Sequence, residues 1–354
     1  MLAKSLKVSA LALGLIIGLT ACDPPMPPEL LTELAERSHT CVDGPVTVSV
    51  PEGLVDQADS WSMTLADVCP GTKFSYVAAG QPANLILSAG TPQASVCKPF
   101  VSAPFAIDGT ALVFMSADFT NINLDGAAAA GILTGAIKNW DDPALVSLNP
   151  DIALPSTEIT LDTKAPAAQI LAIEAWLSRL TKTQVKLSNF TADETVTGQD
   201  RLYNMPEGTF GLAAFSDSMA ASAYMATIVT GPDATVDFTN PESATLASAA
   251  TQLKISKDDK SVTVELDPTI KATPPAGSDT VPNPYQAIFA TNMYLCGKDN
   301  LRARALARFL LRQDTQGNIA GGTSLPLPNN VKFKAISVIE TGLPSPSPVA
   351  STSN

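Results

Sequence analysis

Short apolar runs alternate with longer amphipathic stretches along most of the chain. In the first third, apolar runs rich in β-branched residues predict strands, and residues 54–68 predict a helix between the first two of them. Strand, helix and strand at this spacing indicate a parallel α/β sheet. The predicted strands lie at 46–50, 73–77, 84–88, 103–107 and 110–115.

The same alternation continues to residue 312. Asp142 followed by Pro143 predicts a helix start, with the aspartate as N-cap and the proline in the first turn. Pro166 opens a stronger helix, whose apolar residues fall on one face. Further strands are predicted at 157–161, 208–215 and 287–295, further helices at 125–133, 240–253 and 301–312, and a long loop at 271–284.

The helix predicted at 301–312 carries arginines between its apolar positions. Leu306, Phe309 and Leu310 predict a face that packs on the core. The arginines are expected to form a solvated outer face rather than a nucleic-acid surface. They are Arg302, Arg304, Arg308 and Arg312.

Residues 1–21 have the features of a secretory signal. Lys4 and Lys7 precede an apolar run at 8–19, which is shorter than the ~20 residues needed to cross a membrane. The sequence LTAC at 19–22 resembles a lipobox, so we expect cleavage before Cys22 and lipidation of that cysteine. The alternative is an ordinary secretory signal with an unrelated cysteine. Lipidation would hold the protein to the extracytoplasmic face of a cell membrane.

The folded part is expected to lie between two extended segments. Residues 22–41 are predicted to be a tether, because their closely spaced prolines exclude a helix or a central strand. Residues 344–354 are rich in Pro, Ser and Thr and are expected to be a disordered tail. The chain between them is long enough for one large or two ordinary domains.

The chain is acidic, with a net charge of −12. This charge argues against nucleic-acid binding, which depends on contacts from Lys and Arg to phosphates. His39 is the one histidine of the sequence and lies in a polar segment, so a histidine-based catalytic site has little support. The sequence contains no hydrolase, metalloprotease or nucleotide-binding motif. We therefore expect no enzyme activity, no metal and no cofactor.

Four cysteines remain besides Cys22. An even number in an exported chain predicts two disulfides, with three connectivities open from the count alone. Cys41 and Cys69 each precede a predicted strand, and neighbouring parallel strands start at the same sheet edge. We therefore predict the pair Cys41–Cys69 and, by elimination, the pair Cys97–Cys296.

The stretch GILTGAIKNWDDP at 131–143 resembles a run found in the phosphate-binding proteins of ABC importers, a branch of the periplasmic solute-binding family. In that family the run reads (I/L)-x-G-x-I-x-x-W-x-D-P and is followed by an Asn-Pro turn, which Asn149-Pro150 matches. Later segments that resemble the family, in the family's order, are FTNPES at 238–243, NPYQA at 283–287 and SLPLP at 324–328.

The resemblance implies an α/β fold of the type II periplasmic-binding-protein kind. Such a fold has two lobes, each a mixed sheet flanked by helices, joined by two crossing strands, with the ligand in the cleft between the lobes. Lobe 1 would comprise residues 42–102 and 291–343, and lobe 2 residues 103–290. The resemblance also implies an ABC permease as partner, and we expect a monomer.

The phosphate loops of the family are not retained. Its most recognisable loop, RSDGSGT, corresponds to DTKAPAA at 162–168. Asp162 stands where the family's arginine would pair with phosphate, and an aspartate there would repel that anion. Pro166 has no N–H to donate, and the alanines restrict the close backbone approach that glycine permits. The loops after the first three strands also depart from the family's Ser- and Gly-rich sequences.

Two interpretations of the cleft remain. In the first, the cleft binds a small molecule or ion other than phosphate, neutral or cationic, which Asp162 and Glu52 contact. In the second, these are solvated loop charges in a cleft without a ligand. The candidate ligand-binding residues are Ser49, Glu52, Gln81, Thr91, Asp162, Thr163, Lys164 and Gln169.

The sequence favours a lipid-anchored extracytoplasmic solute-binding protein that resembles the phosphate-binding component of an ABC transporter. Its ligand is expected to differ from that of the family, because the phosphate loops are altered. The alternative is a cell-surface sensor or interaction module that uses the same fold without a role in transport.

Overall fold

The computed structural model describes residues 40–232, 237–321 and 324–344. The predicted signal segment, the tether up to His39 with its lipidation site Cys22, and the tail from residue 345 lie outside the described residues.

Nine strands of the described residues form one mixed sheet. Its main path runs β2-β1-β3-β15-β4-β9-β6, and β10 and β16 also pair with β4. The strands are β1 Gly44–Val50, β2 Thr72–Ala78, β3 Leu85–Ser88, β4 Pro99–Phe114, β5 Asn123–Asp125, β6 Thr160–Asp162, β7 Lys164–Ala165, β8 Thr191–Ala192, β9 Thr209–Ala214, β10 Tyr224–Met225, β11 Thr227–Val229, β12 Phe238–Thr239, β13 Leu253–Lys257, β14 Val262–Leu266, β15 Ile288–Cys296 and β16 Leu325–Pro326.

Helices flank this sheet and close its core. A short 3-10 turn, Glu52–Leu54, leads directly into the first of them. The helices are α1 Val55–Val68, α2 Gly126–Leu133, α3 Pro143–Leu148, α4 Ala167–Thr181, α5 Gln199–Tyr203, α6 Phe215–Ala220, α7 Ser243–Ala250, α8 Leu301–Leu310, α9 Gln313–Gly321 and α10 Asn329–Ile339. Among the described residues, no helix is both long and apolar enough to cross a membrane.

The parallel part of the sheet agrees with the prediction from the sequence. Strand β1 pairs in parallel with β2 on one side and with β3 on the other. Both predicted disulfides are confirmed: Cys41–Cys69 joins the segments that precede β1 and β2, and Cys97–Cys296 joins the segment before β4 to the end of β15.

Strand β4 corrects the expectation of two separate strands at 103–107 and 110–115. Asp108 and Gly109 do not interrupt it, because their backbone pairs with Phe289 and Ile288 of β15. From Thr110 onward β4 pairs with β9 instead. One continuous strand therefore links the β1–β3 part of the sheet to the β6–β9 part. The expected lobe boundaries, at 102/103 and 290/291, fall inside β4 and β15 and stay a prediction.

The stretch 131–143 forms the corner that the sequence suggested. Asp142 caps α3, accepting the N–H of Ala144 at 2.9 Å, and Pro143 opens the helix. Trp140 is 1% exposed and packs edge-on against Phe119, with 5.1 Å between the ring centroids. This aromatic contact fixes the corner against the β6–β9 part of the sheet, beside Phe210.

The arginines of α8 correct a second expectation. Of the four, Arg302 alone is exposed, whereas Arg304 and Arg308 are each 5% exposed, and Arg312, just after the helix, is 7% exposed. Three arginines that were expected on a solvated face are therefore buried.

Charge pairing and the end of α10 explain why Arg304 is buried. Its guanidinium pairs with Asp299, with both N–O distances at 2.7 Å. The same group donates to the carbonyls of Val338 and Ile339 at 3.0 and 2.9 Å. The last carbonyls of a helix have no partner within the helix, so a buried cation that reaches them stabilises the contact between α8 and α10. An apolar periodicity in the sequence does not reveal this contact.

We predict that Arg304→Met lowers the free energy of unfolding by about 2–4 kcal/mol, because it leaves two helix-end carbonyls and a carboxylate without their donor. Urea unfolding followed by circular dichroism measures this. The matched control Arg302→Met, at an exposed position of the same helix, should change the value by less than about 0.5 kcal/mol. Equal effects of the two substitutions would contradict the burial of Arg304.

Candidate functional site

A cavity of about 450 Å³ opens at the carboxyl ends of β1, β2 and β3. The loops that follow these strands line one side, through residues such as Pro51, Gly80 and Thr91. The start of α4, the segment 192–197 and the turn from β9 into α6 line the other side. Ligands of open α/β sheets bind outside the carboxyl ends of the strands, and ligand pockets enclose roughly 300–1,000 Å³. The position and size of the cavity therefore fit a small-molecule site.

Strands β4 and β15 form the floor of this cavity. Ala106 and Asp108 lie two residues apart on β4, where side chains point to the same face. The register pairs them with Thr291 and Phe289 of β15, and all four residues line the cavity. The floor is thus built on the two strands that join the parts of the sheet.

Asp108 places a carboxylate in this floor, and its side chain is buried, with 5% exposure. Its Oδ1 accepts the N–H groups of Gly109 and Ser216, at 2.7 and 3.2 Å. Its Oδ2 accepts the hydroxyl groups of Ser216 and Ser324, at 2.5 and 3.4 Å. Burial raises the pKa of Asp108 to about 7, although these hydrogen bonds lower it. The carboxyl group therefore titrates near neutral pH.

Three more carboxylates line the cavity, those of Asp193, Glu194 and Asp217. Asp217 is 7% exposed and accepts the N–H of Gly198 at 2.8 Å. Burial raises the pKa of Asp217 as well. Among the described residues that line the cavity, none is Lys, Arg or His. The lining therefore attracts cations and repels anions.

Glu194 occupies the N-terminus of α4, where a helix can hold an anion. Its Oε1 accepts the N–H of Ala167, the first residue of that helix, at 2.9 Å. A Cβ atom added to Gly90 would lie 2.6 Å from the same oxygen, so the carboxylate also contacts the loop after β3 across the cavity. Helix N-termini favour a negative charge, and here the chain supplies that charge itself.

Gln169 contributes a side-chain oxygen that lacks a hydrogen-bond donor. The residue lines the cavity and is 2% exposed, and its side-chain Oε1 is buried without a hydrogen-bond partner. The backbone carbonyl of Gln169 accepts the hydroxyl of Thr110 at 3.3 Å, which holds the residue beside β4. An unsatisfied buried acceptor costs roughly 1–3 kcal/mol, so this oxygen is a candidate to accept a hydrogen bond from a ligand.

Three of the candidate residues named from the sequence lie in or beside the cavity. Thr91 and Gln169 line it. Glu52 lies at its edge, where its carboxylate contacts Gly198 so closely that a Cβ atom there would overlap it. Gly198 also has φ +92°, a conformation that favours glycine.

The other five candidates do not line the cavity. Ser49 is buried and donates its hydroxyl to the carbonyl of Ala78 at 2.9 Å. Asp162 forms an ion pair with Arg201, with Nε and Oδ2 3.0 Å apart, so its charge is compensated inside the protein. Thr163 is half-buried, and Gln81 and Lys164 are exposed.

Sequence reasoning missed the acidic residues that line the cavity. Asp108 had a usable signal, because it is the one charged residue in the sequence PFVSAPFAIDGTALVF of β4. Glu194 and Asp217 had none, since each lies in a polar or mixed segment and reaches the cavity only through the tertiary fold. The sequence therefore predicted where the site lies in the fold but not its negative charge.

A model of the PBP superfamily domain matches residues 87–314, which is more than half of the chain. The phosphate-binding protein PstS 3 of Mycobacterium leprae is 28% identical over 109 residues, covering 26% of this chain. The chain matches only 30% of the length of that relative.

Solved structures share the fold at low sequence identity. A high-affinity periplasmic phosphate-binding protein, PfluDING, solved with bound phosphate, has a TM-score of 0.55 at 12% identity, covering 84% of this chain and 93% of its own. The phosphate-binding protein from Stenotrophomonas maltophilia has a TM-score of 0.50 at 14% identity, covering 83% of this chain and 94% of its own. The expected fold, a type II periplasmic-binding-protein fold with mixed sheets flanked by helices, is confirmed.

We predict that the unfolding free energy of Asp108→Asn, measured relative to the wild type, increases as the pH rises from about 4 to 7. In the folded protein this carboxyl group keeps its proton up to about pH 7, whereas its ordinary pKa is 3.8. Over that interval the carboxyl group ionises in the unfolded wild-type chain but not in the folded protein, which lowers the free energy of unfolding. The variant has no carboxyl group at this position and does not undergo this loss. The difference in unfolding free energy between the variant and the wild type should change by about 4 kcal/mol from about pH 4 to 8, in favour of the variant.

Urea unfolding of both proteins across this pH range measures the difference. Asp118→Asn, at an exposed position, controls for the loss of one carboxylate. A difference between wild type and Asp108→Asn that stays constant with pH would show that Asp108 ionises normally in the folded protein.

Proposed function

Because the chain belongs to the PBP superfamily, we propose that it is an extracytoplasmic solute-binding protein whose cavity binds a small ligand other than phosphate. The role is binding, as in the phosphate-binding proteins that share its fold, and presentation of the ligand to a membrane partner such as an ABC permease. The ligand is proposed to be neutral or cationic.

The observation that carries this proposal is the charge of the cavity lining. Asp108, Asp193, Glu194 and Asp217 line it without a Lys, Arg or His among the described lining residues. A carboxylate about 5 Å from a phosphate oxygen repels it by roughly 3 kcal/mol at an effective dielectric constant of about 20. Micromolar binding is worth about 8 kcal/mol. Each ionised carboxylate at such a distance would therefore remove a large part of that binding free energy.

The contact at the N-terminus of α4 supports the same conclusion. Glu194 accepts the N–H of Ala167 at the start of that helix. An incoming phosphate would have to displace this carboxylate and would then meet Asp193 beside it. Asp162, where the phosphate-binding family has an arginine, is paired with Arg201 and lies outside the cavity lining.

We also propose that lipid on Cys22 anchors the chain. The folded part supports this geometrically, since the chain enters β1 at the edge held by the Cys41–Cys69 disulfide. The cavity lies at the other end of β1, roughly 20 Å away for a strand of this length. The chain therefore enters the folded part at the end of β1 that lies away from the cavity.

Ligand binding by the purified protein tests the ligand class. We expect thermal stabilisation by at least one neutral or cationic solute of a small-molecule panel, and none by phosphate at about 1 mM. Glu194→Ala should improve phosphate binding by no more than about tenfold, because it removes one of several carboxylates. Glu265→Ala, on the exposed side of β14, is the matched control. Micromolar binding of phosphate to the wild-type protein would refute the proposal.

Membrane fractionation tests the anchor. When the chain is expressed in a bacterium, the wild-type protein should sediment with membranes and incorporate labelled palmitate. Cys22→Ala removes the thiol that would carry the lipid, so this variant should lose the label and the membrane association. Unchanged membrane association of Cys22→Ala would count against a lipid anchor at this residue.

A further inference from the structure

We propose that the cavity binds a small organic cation with a primary ammonium group, and that Asp108 and Gln169 hold that group on the cavity floor. This inference rests on the proposed function and names the ligand class of the same site.

The first step is the unpaired charge of Asp108. The groups that donate to its carboxylate are backbone N–H groups and serine hydroxyls, all of them neutral. The ionisable group whose charge affects the pKa of Asp108 is Asp217, a second acid. Transfer of a carboxylate from water into a protein interior is costly unless a cation compensates it. The described residues supply no such cation, and a ligand in the cavity can.

The second step is the position of Gln169. Thr110 and Asp108 lie two residues apart on β4, so their side chains share one face of the strand. Thr110 donates to the carbonyl of Gln169, which places the start of α4 beside this stretch of β4. The buried Oε1 of Gln169 has no partner. A buried carboxylate and an amide oxygen without a hydrogen-bond partner thus belong to two residues that line the same cavity.

The third step is chemical complementarity. A primary ammonium group has three N–H donors and no acceptor, so it can satisfy the Gln169 oxygen while it neutralises Asp108. A quaternary ammonium group could not donate to Gln169, and a neutral alcohol could not neutralise Asp108. Apolar residues such as Leu54, Val96 and Phe289 line the rest of the cavity together with the other acids, which suits an alkyl chain.

A metal ion fits the same acids less well. Within the described residues, no group of three or more His, Cys, Asp or Glu side chains is placed to hold one. Calcium takes about six to eight oxygen ligands, whereas both oxygens of Asp108 already accept hydrogen bonds. An organic cation needs only charge and one or two acceptors.

Ionisation of Asp108 should couple ligand binding to pH. One charged group, Asp217, lies among the neighbouring residues of Asp108. These neighbours are Ser216 and Asp217 of α6, Phe289 and Thr291 of β15, and Ser324. Burial raises the pKa of Asp108 to about 7. The affinity for an ammonium group should therefore rise about 30-fold between about pH 5.5 and 8.5, as the carboxylate loses its proton.

Isothermal titration calorimetry with butylammonium, tetramethylammonium, n-butanol and phosphate tests the inference. Butylammonium should bind, and n-butanol, which matches its alkyl chain, should bind at least about tenfold more weakly. Asp108→Asn should weaken butylammonium binding at least about tenfold, whereas Asp118→Asn should not. Because Asp108 also holds Ser216 and Ser324, circular dichroism must confirm that its variant folds.

Gln169→Leu keeps the test decisive if Asp108→Asn does not fold. The leucine removes a buried unsatisfied oxygen, so the melting temperature should stay the same or rise, while butylammonium binding weakens about tenfold. A purely structural glutamine would not produce this combination.

The outcomes separate the two proposals. Equal binding of butylammonium and n-butanol, unchanged binding by both variants, or binding of neutral solutes alone would overturn the ammonium site while leaving a solute-binding protein. Preference for tetramethylammonium over butylammonium would overturn the role of Gln169 as acceptor. Binding of phosphate, or of no solute from a wide panel, would overturn the proposed function itself.

Discussion

The buried carboxylate of Asp108 is the interaction on which the site depends. Its hydrogen bonds come from three places that are distant in sequence: Gly109 on β4, Ser216 at the start of α6, and Ser324 before β16. These segments must converge to bury the group. The carboxylate therefore fixes the junction between the two parts of the sheet, and the cavity opens directly above that junction.

The fold of this chain is shared with phosphate-binding proteins, whereas the residues that line its cavity are its own. The PBP superfamily fold supplies a cavity at the carboxyl ends of β1–β3, and the phosphate-binding structures with TM-scores of 0.55 and 0.50 have the same architecture. A fold does not determine what its site binds. In this chain Glu194 fills the N-terminus of α4 and acids line the floor and the rim. We propose that this lining selects cations, with the scaffold otherwise unchanged.

The sequence predicted the scaffold better than the site. The apolar runs at 46–50 and 73–77, the N-cap Asp142 and both disulfides were correct, because local patterns and strand order determine them. Strand β4 was divided in error, since Asp108 and Gly109 read as a break although their backbone stays paired. The arginines of α8 were placed in solvent, because a helical pattern does not show that α10 ends against Arg304. Glu194 and Asp217 reach the cavity through contacts far apart in sequence, which no local pattern records.

Carbon-13 NMR of aspartate-labelled protein would test most directly whether Asp108 is the charge that a ligand compensates. Titration with and without bound butylammonium, with Asp108→Asn to assign the signal, gives the pKa of this carboxyl group in both states. We expect a pKa of about 7 in the free protein and a value lower by at least about one unit when the ammonium group is bound. No change in this pKa on binding would contradict a role for Asp108 as the ligand's counter-charge, and a pKa near the ordinary 3.8 in the free protein would contradict the uncompensated burial of its charge.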